Sequence, residues 1–185
     1  PQTVSVTPEQ LTGASIEQRY YLVNPQEKVA AITRLFEMET IDSALVFART
    51  RLGTGELANQ LSSRGFAAEP LNGDLSQDAR IQVLNRFRAG QVKVLVATDV
   101  AARGLDIDDI SHVFNFDLPD DPEVYVHRVG RTGRAGREGA AITLPSRPER
   151  WMTRGIAEYT RCRMTHAEMP THQQQYNKHK PGRME

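Results

Sequence analysis

Cys162 is the only thiol in the chain, so no internal disulfide can form and the composition suits a reducing cytosol. Lysine is almost as scarce. Of 23 basic residues only Lys28, Lys93, Lys178 and Lys180 are lysine, and the rest are arginine. No uncharged apolar run approaches the roughly eighteen residues of a membrane span, which excludes a spanning helix. The opening Pro1-Gln2-Thr3-Val4-Ser5 has neither a basic start nor an apolar stretch, so it is no secretory signal and reads as an internal cut through a longer polypeptide. An excess of one charge is missing as well. The 23 acidic residues balance the basic ones, so net charge says nothing about a polyanionic partner.

Several catalytic signatures are absent too. No lysine follows a glycine, which removes the Gly-Lys-Ser/Thr loop that cradles nucleotide phosphates. The acid pairs Asp108-Asp109 and Asp120-Asp121 do not end an apolar strand, as magnesium-holding acids would. His112, His127, His166, His172 and His179 share no ligand spacing with the cysteine, so no metal site is expected. No Gly-x-Ser-x-Gly nucleophile elbow occurs. The chain alone is therefore not expected to be a catalyst.

What is present is an alternation of strand-like and helix-like segments in 185 residues, enough for one well-buried domain. Residues 16–22 alternate apolar and polar side chains, the pattern of a strand. Residues 26–38 place Val29, Ile32, Leu35 and Phe36 on one helical stripe. Residues 43–47 are a short apolar run of the kind buried on both faces of a sheet, and residues 67–71, 92–97, 112–116 and 140–144 read as further strands. Between them, residues 55–64 predict a helix with Leu57 and Leu61 inward. Ser76 opens another, ended by Gly90, with Ile81, Val83, Leu84 and Phe87 expected to face the core. Asp120 or Asp121 caps a helix with Pro122 at its first position, and residues 148–159 form the last one. Strands separated by helices predict an α/β fold with a central, mainly parallel sheet and helices on both faces. Residues 1–15 are expected to be a linker remnant, 16–170 the domain, and 171–185 a polar tail or the start of a further extension.

Four segments concentrate polar chemistry where such a sheet binds ligands, beyond its strand ends. The densest is Tyr125-Val126-His127-Arg128-Val129-Gly130-Arg131-Thr132-Gly133-Arg134-Ala135-Gly136-Arg137. Arginines every third residue in a glycine-rich helix exit make a poor core and a good clamp for a polyanion, since each guanidinium fork matches phosphate oxygens. Thr98 and Asp99 follow the strand 92–97 and lead to Arg103-Gly104-Leu105-Asp106. A threonine hydroxyl there suits a phosphate and an acid suits a ribose hydroxyl, although a Thr-Asp pair also simply caps a helix. Gln77 and Arg80 share the first turn of a helix, beside free backbone N–H groups. Arg49-Thr50-Arg51 leave the strand 43–47. The four segments are expected to converge on one edge of the sheet.

These segments, in this order, resemble the second RecA-like domain of DEAD-box RNA helicases. His127 to Arg134 resembles motif VI, Ala97 to Asp106 motif V, Gln77 and Arg80 the Gln-x-x-Arg segment, and Phe47 to Arg51 motif IV. Asn115-Phe116-Asp117-Leu118-Pro119 resembles the stretch after motif V, and Asn72 departs from the histidine that many relatives carry. The resemblance implies a RecA-like three-layer domain that binds ATP and RNA together with an N-terminal RecA-like partner domain. It implies Arg131 and Arg134 as arginine fingers and, with Gly104, Asp106 and Arg128, as the nucleotide-side residues. Thr50, Arg51, Gln77, Arg80, Thr98 and Arg103 would hold the RNA backbone. The partner domain would hold Mg2+, and the fragment would be inactive alone and cytoplasmic as a whole protein. Half of a DNA helicase or translocase, or a non-catalytic RNA-binding module, are the alternative readings.

Overall fold

The structure, a computed structural model, describes residues 15–134 and 136–169; the expected linker up to residue 14, Ala135 and the expected tail 171–185 lie outside them. In chain order the elements are β1 (Ile16–Tyr20), α1 (Lys28–Met38), β2 (Ala44–Phe47), α2 (Arg51–Ser63), β3 (Ala68–Leu71), α3 (Gln77–Arg88) and β4 (Val94–Ala97). They continue with α4 (Asp99–Ala102), β5 (His112–Asn115), α5 (Pro122–Val129), β6 (Gly139–Thr143), α6 (Arg150–Thr160) and β7 (Thr165–His166). Short 3-10 turns, Pro25–Glu27 and Arg147–Glu149, lead into α1 and α6.

All seven strands are parallel, in the order β3-β4-β2-β5-β6-β1-β7. A right-handed crossover sends a connection to one face when it moves along the sheet in one direction and to the other face when it returns. Hence α1 and α2, which lead toward the β3 edge, share one face, and α3, α4, α5 and α6, which lead back, share the other. Period-two alternation within the strands matches this. Ala44, Val46, Val94 and Val96 pack with Ile32, Leu35, Leu57 and Leu61 on the first face, and Leu45, Phe47, Leu95 and Ala97 pack with Val83 and Leu84 on the second. A smaller cluster of Tyr125, Val126, Val129, Ala141 and Ile156 joins α5 and α6 to that second face. Each large side chain buried this fully contributes about 2 kcal/mol by leaving water.

Three local expectations are revised. Helix α2 starts at Arg51, ahead of the expected residue 55, because Thr50 caps it by accepting from Gly53 N at 2.9 Å, so two glycines sit inside its first turns. Ile81 does not face the core; it is 46% exposed, on the outer side of α3. The edge strand β7 carries no apolar run and owes its place to pairing with β1 and to the stacking of His166 on Tyr20, ring centroids 4.8 Å apart.

His112 closes the amino end of β5, 7% exposed. Its Nε2 lies 2.7 Å from a Glu39 carboxylate oxygen and its Nδ1 2.8 Å from Ser111 Oγ. Burial, followed by the charge of Arg19, pushes the imidazole down to about 4; Arg19 pairs with Glu39 and so balances the carboxylate that would otherwise favour an imidazolium. A histidine whose folded pKa lies below its unfolded value near 6.5 gives stability that is complete above that value and is lost as pH falls toward 4. Urea unfolding should show about 2 kcal/mol less stability at pH 5 than at pH 7, and His112→Gln should flatten that loss.

Candidate nucleotide and nucleic-acid interface

The register of the sheet aligns its strand ends. Leu71, Ala97, Phe47, Asn115 and Thr143 pair across β3, β4, β2, β5 and β6 in one lateral row. The residues directly after that row form the carboxyl edge. After β3 come Asn72, Gly73 and Asp74, with Gln77 and Arg80 in the first turn of α3. After β4 comes Thr98, and after β2 come Arg49, Thr50 and Arg51. Arg51 meets Asp74 at 3.1 Å, and Asn72 Nδ2 donates to Thr54 Oγ1 at 3.0 Å, so two of these loops are tied to each other. Three neighbouring strands thus carry Thr50, Arg51, Gln77, Arg80 and Thr98 onto one surface. Thr98 also caps α4 by accepting from Ala101 N at 3.2 Å, which satisfies the alternative reading of this residue and leaves its O–H free to donate. Arg80 buries its Nε–H without a hydrogen-bond partner among the described residues, an open donor beside a helix N-terminus.

Beyond Arg128 the arginine run does not sit on that edge. Helix α5 carries the chain back along the second face, and Thr132 pairs with Ile110, donating to its carbonyl beside the amino end of β5. The expected convergence of all four segments on one edge is therefore corrected: the chain reverses through α5 before it reaches Arg131. A Cβ on Gly139 would collide with Thr132 and come within 2.6 Å of Gly133 N, so the turn closes only with glycine there. Gly133 itself has φ +69, in the left-handed region where glycine is favoured.

Arg128 and Arg131 take different partners and grip α4 between them. Arg128 is 2% exposed. Its Nε and Nη2 donate to both carboxylate oxygens of Asp99 at 2.7 and 2.8 Å, and its Nη1 donates to Asn115 Oδ1 and the Asp117 carbonyl. Its guanidinium also covers the Phe47 ring at 4.9 Å. The group expected to face nucleotide is thus an internal plug between the β2 and β5 ends, where adjacent connections leave opposite faces. Arg131 instead caps the last turn of α4, donating to the carbonyls of Ala102 at 2.8 Å and Leu105 at 2.6 Å.

Arg131 is partly buried, which lowers its pKa, while Asp108 and Asp106 oppose that shift and Arg134 adds to it. These four charged groups are therefore close neighbours. Arg134 donates its Nε–H to Gly130 O at 2.7 Å and reaches Asp108 at 4.0 Å. Asp106 is exposed, as is Arg103, and Gly104 has φ +77 with nothing near its missing Cβ. Of the five N–H groups of Arg131 two are used, leaving three for a ligand.

Residues to which the sequence assigned no role of their own organise this frame. Lys28, 8% exposed, donates to Phe116 O at 2.6 Å and lies 3.7 Å from Asp117, whose other oxygen accepts from Arg49 N at 2.8 Å. Burial lowers the Lys28 pKa against the pull of Asp117. Asn115, wholly buried in an apolar strand, carried the one visible signal, since a buried amide needs a partner. Leu52 and Val100, 74% and 78% exposed, add apolar surface to the same edge. Among the described residues no cluster suits a metal and no helix is long and apolar enough to cross a membrane.

Comparison with known proteins agrees with this fold. The family model for the helicase conserved C-terminal domain matches residues 27–136. The DEAD-box ATP-dependent RNA helicase CshA of Bacillus subtilis is 46% identical over 171 residues, covering 92% of this chain and 35% of the relative. That of Geobacillus kaustophilus is also 46% identical, with 92% and 37% covered. The chain thus spans about a third of the length of these curated relatives. The solved C-terminal domain of the DEAD-box protein Dbp5 superposes with a TM-score of 0.80 at 34% identity, over 90% of this chain and 97% of that one. S. cerevisiae Dbp5 bound to RNA and ADP BeF3 gives 0.77 at 36% identity, over 84% and 42%. With fold, segment order and likeness in agreement along its described length, the chain belongs to the DEAD-box RNA helicase family, whose C-terminal helicase domain it forms.

Proposed function

We propose that the chain is the C-terminal half of a cytoplasmic, RNA-stimulated ATPase that separates short duplexes once joined to an N-terminal RecA-like domain. The observation that carries the reading is Arg131, fixed by two carbonyls of the segment that bears Asp106 and left with three free N–H groups. The nucleotide supplies a γ-phosphoryl group for transfer to water. Arg131 and Arg134 neutralise the charge that grows on that group, a contribution worth several orders of magnitude in rate in comparable enzymes. Asp106 accepts from a ribose hydroxyl, and Gly104 lets the backbone come close. Mg2+ and the phosphate loop fall to the N-terminal domain, because this chain has no acid pair at the end of an apolar strand and no glycine-lysine loop to receive them.

On the carboxyl edge Gln77, Arg80 and Arg51 bind phosphates, Thr50 and Thr98 donate hydroxyl hydrogens to them, and the exposed Arg103 adds a further phosphate contact from the end of α4. The Arg51–Asp74 pair is exposed and weak, so a phosphate displaces the carboxylate at little cost. Coupling between the two surfaces runs through one segment: Thr98 begins it, Asp106 lies near its end, and Arg128 and Arg131 hold the α4 helix between. Contacts to backbone rather than bases imply low sequence specificity and a steep salt dependence. The chain alone should show no ATPase activity. Joined to the N-terminal domain it should hydrolyse ATP at a rate that ribo-oligonucleotides raise and deoxyribo-oligonucleotides do not. Equal stimulation by both would refute the RNA reading.

A further inference from the structure

Helix α6 has an outer face that the proposed function leaves unused. Trp151 is 72% exposed and Tyr159 46% exposed. They stand eight residues apart on one i, i+4 ridge, with Gly155 between them, so the rings lie roughly 12 Å apart along the axis with a shallow dip separating them. A Cβ on Gly155 would meet nothing within 4 Å, so the dip is open to solvent. The neighbouring ridge carries Arg150 and Arg154, with Arg147 one turn before the helix and Arg161 just past it, all four exposed. None of these arginines pairs with a carboxylate among the described residues, whereas Arg19, Arg51, Arg86, Arg128, Arg134 and Arg137 all do. Glu158 is the one exposed acid between Arg147 and Arg161.

A solvated helix face normally alternates charges and hides its large rings, because an exposed indole leaves apolar surface in water. Unpaired guanidinium groups beside flat aromatic rings are instead the elements of a surface for single strands, arginines on phosphates and rings under bases. Position supports the same occupant. The α6 face begins at the carboxyl edge, because Arg147 belongs to the turn after β6, and Glu149 in that turn lies within the electrostatic reach of Lys28 and of Arg49 in the β2 exit loop. A strand leaving the row of loops at β3, β4 and β2 can run onto α6 without crossing the sheet.

We infer that Arg147, Arg150, Trp151, Arg154, Tyr159 and Arg161 form a second contact for single-stranded RNA, continuous with the loop surface and independent of the motifs that resemble those of the family. This rests on the proposed RNA binding and extends it to a surface outside the motifs.

Trp151 is the only tryptophan in the chain, so its emission reports on this face alone. Titration of the 185-residue chain with a fluorescein-labelled oligouridylate should quench tryptophan emission along the same curve that anisotropy follows. Trp151→Ala, read by anisotropy, should weaken binding about tenfold, the loss of one stacked base. Arg150→Ala with Arg154→Ala should lower the slope of log affinity against log salt by about one unit. These side chains are exposed, so circular dichroism should be unchanged. Binding with unmoved emission, and slope and affinity untouched by both variants, would overturn the inference. If Gln77→Ala with Arg80→Ala then abolishes binding, the proposed function stands and this surface does not. If neither pair of substitutions matters, both fail. An α6 variant that spares RNA binding but weakens association with the N-terminal domain would assign the face to protein and also overturn the inference.

Discussion

Arg131→Ala in the two-domain enzyme should lower RNA-stimulated kcat on the order of a thousandfold, the scale of a lost arginine finger. The residue also anchors the Asp106 segment through Ala102 and Leu105, so the substitution should destabilise the domain by about 1–2 kcal/mol. Arg134→Ala separates the two effects. Its internal ties are one backbone bond to Gly130 and a 4.0 Å approach to Asp108, so activity should fall steeply while stability moves by less than about 1 kcal/mol. Steady-state ATPase assays beside urea unfolding of the same proteins provide the check. Unchanged turnover in Arg134→Ala would remove that arginine from the reaction.

Arg128→Ala is expected to have the largest effect on folding. The substitution leaves Asp99, Asn115 Oδ1 and the Asp117 carbonyl without their donor at once, and it uncovers the Phe47 ring. Breaking a buried, hydrogen-bonded ion pair by deleting one partner costs roughly 3–5 kcal/mol. The lower end applies here, because Asp99 keeps 34% of its side chain exposed and can rehydrate. Arg128→Lys should recover little, since an ammonium cannot span two carboxylate oxygens, an amide and a carbonyl with one planar fork. Urea midpoints of the three proteins test this. A loss under about 1 kcal/mol in Arg128→Ala would show that the plug is dispensable and return Arg128 to the nucleotide side.

Much of the site was legible residue by residue because the signals are local. Thr98 and Ser76 announce helix starts through their own side chains, and Asp121 does the same for α5. The buried strand β2 read as a short apolar run because both faces of a parallel sheet are covered. The direction of Arg128 was not legible. Its partners Asp99 and Asn115 lie 29 and 13 residues away, and nothing in an arginine-rich turn reports whether its members face water or a carboxylate. Lys28 was silent for the same reason, its acceptor Phe116 O being 88 residues distant. The exposure of Ile81 escaped the sequence pattern because α3 packs through the stripe of Val83, Leu84 and Phe87, which leaves Ile81 outside it.

By itself the chain determined its class, its helix caps and the identity of the side chains proposed to bind phosphate, since periodicity, capping and residue chemistry act over a few positions. Only the tertiary structure decided that these side chains divide between a carboxyl edge and a reversed turn beside the amino end of β5. It also decided which arginine is spent inside the fold and which retain free donors. The reason is physical: hydrogen bonds and burial are settled between segments that the sheet brings together, and a guanidinium takes whichever oxygens that packing sets within about 3 Å.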